Sequence, residues 1–152
     1  HALASHEQSK PENQYDTLAL EAAYLAHGQS ERIAELQRQV MLLNHFEFLD
    51  YSEECKLAIG ALVCIQELES DSLATSSQWF WLLPVAGGQV LNLNKYGVHC
   101  DNLHRDSLND IEVRTITAKA PLAEKLLDCY LGDEVVLNLG HKKKQFEVIE
   151  LL

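Results

Sequence analysis

The stretch from Thr115 to Leu137 constrains the fold more than any other part of the chain, because it reads as strand, short helix, turn and strand in about twenty residues. Pro121 suits a helix's first turn, where its missing N–H has no intrahelical partner to disappoint. Leu122, Leu126 and Leu127 follow at spacings that share one face, and Gly132 supplies a stop. A turn through Gly140, His141 and Lys142 to Lys144 then leads into a closing strand from Gln145 to Leu152. A Pro-led helix this short stays folded only when its apolar face lies on a sheet.

Upstream, Ser9-Lys-Pro-Glu12 has the S-x-x-E spacing of a capping box, which opens a helix at Ser9. Apolar residues then recur at Leu18, Ala22, Leu25, Ile33, Leu36, Val40 and Leu43, the last four with the alternating three-four spacing of a coiled-coil seam. Such a helix needs a partner. Gly28 interrupts the Ala-rich run at a cost of about 1 kcal/mol relative to Ala. The pattern loosens after Leu43, and residues 44–52 read as the helix end and a linker. Strand texture follows in Ile59 to Leu68, Gln78 to Leu83, Gln89 to Leu93 and Ile111 to Thr117. The expected architecture is α+β, with a helical segment over 1–52 and an antiparallel sheet crossed by one helix over 53–152.

Composition narrows the partners. The 152 residues carry a net charge of −11, so the surface repels nucleic acid phosphates, and any nucleic acid link runs through a protein partner. No apolar run approaches the roughly 20 residues of a membrane span, and no signal peptide is evident, which places the chain in the cytoplasm. The chain begins at His1 without an initiating Met, which implies an upstream piece. Cys55, Cys64, Cys100 and Cys129 form no C-x-x-C pair and read as reduced, partly buried residues. His99, Cys100 and His104, with His45 and Asp101, contain metal-ligand types but no second matched pair, so ordinary loop or sheet-edge roles are favoured over a metal site. Lys142 to Lys144 read as a solvated turn rather than an RNA contact.

Ile116-Thr117, Ala120-Pro121-Leu122-Ala123, Leu126-Leu127, Gly132-Asp133-Glu134-Val135 and Phe146-Glu147-Val148-Ile149-Glu150 together resemble the carboxy-terminal domain of the Gre-type bacterial transcription elongation factors. Glu12-Asn13-Gln14-Tyr15, Glu21-Ala-Ala-Tyr24 and Arg32-Ile-Ala-Glu-Leu36 look like the stretch that follows the hairpin tip in that family. The match is weakest between Ser70 and Asp110. Two departures lie in the carboxy-terminal part: Ala120 replaces the usual Ser, and Gly140-His141 stands where a Pro-Gly-Gly-like turn is common.

The resemblance implies an antiparallel helical hairpin with most of its first helix missing, joined to an FKBP-like domain. It further implies binding to bacterial RNA polymerase at the secondary channel, modulation of elongation, and no enzymatic chemistry or cofactor of the chain's own. Cleavage-stimulating members carry an acidic pair at the tip that helps hold a second Mg2+ of the polymerase; here Glu12 matches the glutamate, but Ser9 replaces the aspartate three residues before it. Glu12 is therefore a candidate metal-positioning residue and, equally, half of a capping box. Pro121, Leu122, Ala123 and Leu126 are the candidate partner-binding residues. A secondary-channel inhibitor without cleavage stimulation and an FKBP-like prolyl isomerase are the alternatives. The isomerase needs an aromatic-lined pocket, with Trp79, Phe80 and Tyr96 the aromatics to consider. Trp79 and Trp81 share one strand face and Phe80 takes the other, so these rings serve either the core or a partner patch.

Overall fold

The computed structural model describes residues 9–52, 54–68, 76–93 and 111–152, with side chains from Asn13 onward. The chain divides into two units, one reaching Asn44 and the other His45–Leu152. In the first, α1 (Ser9–His45) is a single helix of 37 residues, about 55 Å at 1.5 Å per residue. It runs through Gly28, where an added Cβ would meet nothing within 4 Å. Local bonds support its surface: Arg38 donates to Glu35 at 2.8 Å and Gln39 to the other Glu35 oxygen at 2.9 Å. These contacts, the hydrogen bond from Arg38 first, hold the Glu35 carboxyl below its usual range. The seam is open, with Leu18, Leu25, Ile33, Leu36 and Val40 all exposed. No helix among the described residues is long and apolar enough to cross a membrane.

The second unit is built on a six-stranded sheet comprising β1 (Leu62–Glu67), β2 (Ser77–Leu82), β3 (Val90–Asn92), β4 (Glu112–Ile116), β5 (Glu134–Leu139) and β6 (Lys142–Leu151), with α2 (Pro121–Leu126) between β4 and β5. The α+β class is as expected, but the sheet is mixed rather than antiparallel. Its order is β3-β4-β2-β1-β6-β5, and β4 lies parallel to β2 with Trp79 beside Val113 and Leu82 beside Ile116. The cause is topological. After β2 the chain reverses into β3 without pairing to it, and β4 reverses again and enters between the two, hence antiparallel to β3 and parallel to β2. Period-two patterning reports faces and not neighbours, so the sequence carried no sign of this insertion.

Both faces of the sheet are covered. Val63, Ile65, Phe80, Leu82, Phe146, Val148 and Leu151 pack with Leu126 of α2 on one side, while Cys64, Trp79 and Val113 pack with Trp81, Ile149 and Leu152 on the other. The Trp79 and Trp81 side is thus core, and Phe80 takes the opposite face. A register shift opposite Cys64 and Ile65 leaves Ile149 as the extra residue of a β-bulge in β6. The bulge resets the alternation, so Leu151 joins Phe146 and Val148 on the α2 side although it stands an odd three positions beyond Val148.

Three local expectations change. Residues 45–52, expected with the helical segment, belong to the second unit: the Phe46 and Phe48 rings stand 4.9 Å apart, Phe48 lies 5.7 Å from Trp81, and the Tyr51 hydroxyl donates to the Ile59 carbonyl. Gly60 sits at φ 108 with Phe46 against the place a Cβ would occupy, which explains how the aromatic segment reaches the sheet. The helix at Pro121 ends at Leu126, not near Gly132, because Asp128 adopts φ 69 and turns the chain; Gly132, at φ 84, serves the entry to β5. Lys142 to Lys144 lie inside β6, and only Gly140 and His141 form the turn, with Lys144 reaching Glu67 at 3.0 Å.

Because this unit has its own two-sided core, a fragment comprising His45 to Leu152 is expected to fold alone. A single cooperative urea transition checks this, and a gradual loss of signal would show that it needs the preceding helix.

Candidate functional site

Two places carry the candidate residues. Glu12 lies near the start of α1, and its side chain, like that of Ser9, falls outside the described set, as do Tyr96, His99, Cys100, Asp101 and His104. His45 closes α1.

The second place is α2. Ala120 occupies the N-cap in an extended conformation, φ −72 and ψ 136, with no side-chain cap, so the Ser-to-Ala departure leaves the helix start without a hydroxyl. Pro121 takes the first turn, and the Glu124 amide closes on the Ala120 carbonyl at 3.0 Å. The Leu127 amide reaches Ala123 at 2.9 Å, after which the Asp128 amide and the Leu57 amide tie the following turn to the segment before β1. The helix is thereby pinned at its carboxy-terminal end.

That pinning divides the four candidates. Pro121 is exposed and Leu122 half-buried against the core, whereas Ala123 and Leu126 are both 0% exposed. A partner approaching this helix meets Pro121 and the outer part of Leu122, flanked by exposed Glu124 and Lys125. Ala123 and Leu126 hold that surface in place from below. A sequence pattern gives the apolar face of a helix but not whether a sheet already covers it.

A cleft of about 590 Å³ lies beside the start of α2. Its lining includes Phe80, Val90, Arg114 and Lys119, with the 87–89 turn on one side and Thr117 to Ala120 on the other. Thr115 braces the turn. This buried hydroxyl donates to the Ala86 carbonyl at 2.6 Å and accepts from the Gln89 amide at 2.9 Å, while the Gly88 amide bonds the Thr115 carbonyl at 2.7 Å. Ala86 is held there at φ 60 and Gly88 at φ 83. Among the described residues Phe80 is the single aromatic in the lining and is 7% exposed; Trp79 faces the other side of the sheet. The sequence motifs assign no site role to Arg114, Thr115 or Lys119. The alternation in Glu-Val-Arg-Thr-Ile was the available signal, since it separates Arg114 from the buried Val113 and Thr115.

Near α2, the Cys129 thiol donates to the Lys125 carbonyl at 3.1 Å, and burial, aided by Asp133 and Asp128, pushes it above the ordinary thiol range. Cys55 goes the other way: hydrogen bonding from the Ser52 hydroxyl, at 3.2 Å, and then from its backbone holds the thiol below that range. Cys64 is buried. Among the described residues no group of His, Cys, Asp and Glu is arranged to hold a metal ion.

Comparison with known proteins gives a consistent set of structures. No family model and no curated protein matches the chain. Among solved structures, Gfh1 of Thermus aquaticus aligns over 90% of this chain and 72% of its own, at 18% identity and a TM-score of 0.40. GreA factor homolog 1 (Gfh1) of Thermus thermophilus aligns over 83% and 70%, at 13% identity and a TM-score of 0.37. A further structure, of the transcription factor Gfh1, aligns over 95% and 75%, at 19% identity and a TM-score of 0.38.

Leu126→Ala is expected to lower the unfolding free energy by about 2–5 kcal/mol, the usual cost of emptying a fully buried leucine site. Pro121→Ala should change it by less than about 1 kcal/mol. Urea melts of the two variants separate support from surface. Iodoacetamide labelling near neutral pH, read by peptide mass spectrometry, should modify Cys55 before Cys129, because the thiolate is the nucleophile. Equal rates would show that Ser52 does not stabilise the Cys55 thiolate.

Proposed function

We propose that this protein binds bacterial RNA polymerase at its secondary channel and modulates transcript elongation, without being an enzyme itself. The observation that carries the reading is the pairing, in one chain, of two ordered motifs in their expected order: Glu12 to Leu36 on a long helix, and Ile116 to Glu150 on the sheet domain. On this reading α1 is the second arm of an antiparallel helical hairpin, its open Leu25, Ile33, Leu36 and Val40 seam awaiting the first arm. The sheet domain is then the FKBP-like part that holds the polymerase outside the channel.

A helix about 55 Å long suits the task mechanically, since it sets Glu12 near one end of a long arm. At the tip, Glu12 would help position a Mg2+ of the polymerase, supplying a hard oxygen ligand to an ion that keeps several waters. With Ser9 in the place of the second carboxylate, one acid does the work of two, so binding is retained more securely than cleavage stimulation. The anchoring patch is Pro121 and Leu122, supported by Ala123 and Leu126: an apolar contact that excludes water contributes more to affinity than exposed rim charges.

Pull-down with core polymerase and transcript cleavage in stalled elongation complexes test the reading together. The chain should bind at micromolar concentration or better, and Pro121→Glu should weaken binding at least about tenfold, equivalent to about 1.4 kcal/mol, with an unchanged melt. Glu12→Ala should leave binding nearly unchanged while lowering any cleavage. Absence of polymerase binding by the unaltered protein overturns the proposal.

A further inference from the structure

The described lining of the cleft beside α2 carries a charge opposite to that of the chain as a whole. Pairing registers set Phe80 of β2, Arg114 of β4 and Val90 of β3 side by side in one row, so the guanidinium stem stands between two apolar residues on the α2 face of the sheet. Lys119 contributes a second cation from the turn before α2, and among the described residues the lining contains no Asp or Glu. Among the described residues neither cation takes part in an ion pair. Glu112, two residues before Arg114 on the same face, is outside the lining. In a chain of net charge −11, Arg114 and Lys119 gather positive charge where the described lining holds no acid.

We propose that this cleft docks a short extended segment of a protein partner that presents a carboxylate side chain next to an apolar one. Arg114 takes the carboxylate through its planar fork of donors, and Lys119 adds a second, mobile charge. Phe80 and Val90 cover the neighbouring apolar side chain, whose burial displaces water and strengthens the ionic contact. Thr115 gives the site its shape: its two hydrogen bonds hold the 86–89 turn as a fixed wall, so little ordering is lost when the segment enters. A nucleic acid strand is the poorer occupant. Its phosphates need a track of several cations, and the surrounding acid repels the rest of the strand. The occupant is defined by this chemistry alone and does not require that the partner be RNA polymerase.

The test is fluorescence anisotropy of the whole chain with a labelled hexapeptide alternating Leu with Asp, in buffer of about 50 mM salt so that screening leaves the contact visible. Saturable binding below about 1 mM is expected. Arg114→Gln combined with Lys119→Gln should weaken it at least about fivefold, about 1 kcal/mol, with the circular dichroism melt unchanged. Lys119→Glu, at an exposed position, should weaken it as well, and a peptide with Lys in place of Asp should not bind. The proposal is overturned by any of three results: no peptide binding up to about 1 mM, equal binding by the variants, or tighter binding of an oligothymidine of the same length.

Discussion

The second unit depends on burying the sheet's central strands from both sides. Val63, Cys64 and Ile65 follow one another on β1 and are at most 1% exposed, which is possible only if opposite faces of the sheet are both covered. At about 1.5–3 kcal/mol for each large aliphatic side chain fully withdrawn from water, this run stabilises the domain more than any polar contact in it. Everything else is placed by that requirement. Leu126 of α2 and Leu57 supply part of one cover, and the tryptophan side of β2 with Ile149 and Leu152 supplies part of the other.

A two-sided core makes strand register demanding, because a slip of one residue exchanges the faces. The Ile149 bulge meets that demand within β6. Without it, Glu150 would follow Phe146 and Val148 onto the α2 face, and a carboxylate there would have no described counter-charge. With it, Leu151 enters that face and Leu152 the other. The same logic explains why α2 is short. Its buried face is complete once Ala123 and Leu126 are seated, and Asp128 then accepts a left-handed conformation so that the next turn can bond back to Leu57 and Val148.

The strands and both helices were legible because each leaves a periodic trace: the seam of α1, the alternation in β4, the Pro-led start of α2. Sheet order was not, since the parallel pairing of β2 with β4 arises from where β4 inserts, and no residue in either strand encodes its neighbour. The contacts of residues 45–52 were hidden for a related reason. Phe46, Phe48 and Tyr51 read as the ragged end of a helix, whereas they reach the sheet because Gly60 leaves room for a ring. At the site, motif matching located α2 but could not weigh Pro121 against Leu126, a distinction that depends on the sheet beneath. The cleft was invisible to it altogether, because Arg114 and Lys119 become neighbours only when the chain bends between β4 and α2.

Those two features beside α2 solve different physical problems, and their proximity is informative. An exposed proline with a half-buried leucine offers apolar contact without direction, so it contributes affinity but tolerates many orientations. A cation pair in a braced cleft contributes direction, since a guanidinium and carboxylate fix both distance and plane. In a strongly acidic molecule the second feature would also favour encounter with an acidic segment, since complementary charge steers association. Apolar patch and basic cleft meet at Ala120, where the lining of the cleft ends and α2 begins. A partner held at both would be anchored by the first and oriented by the second, and the short connection from Thr117 to Pro121 would then couple affinity to specificity.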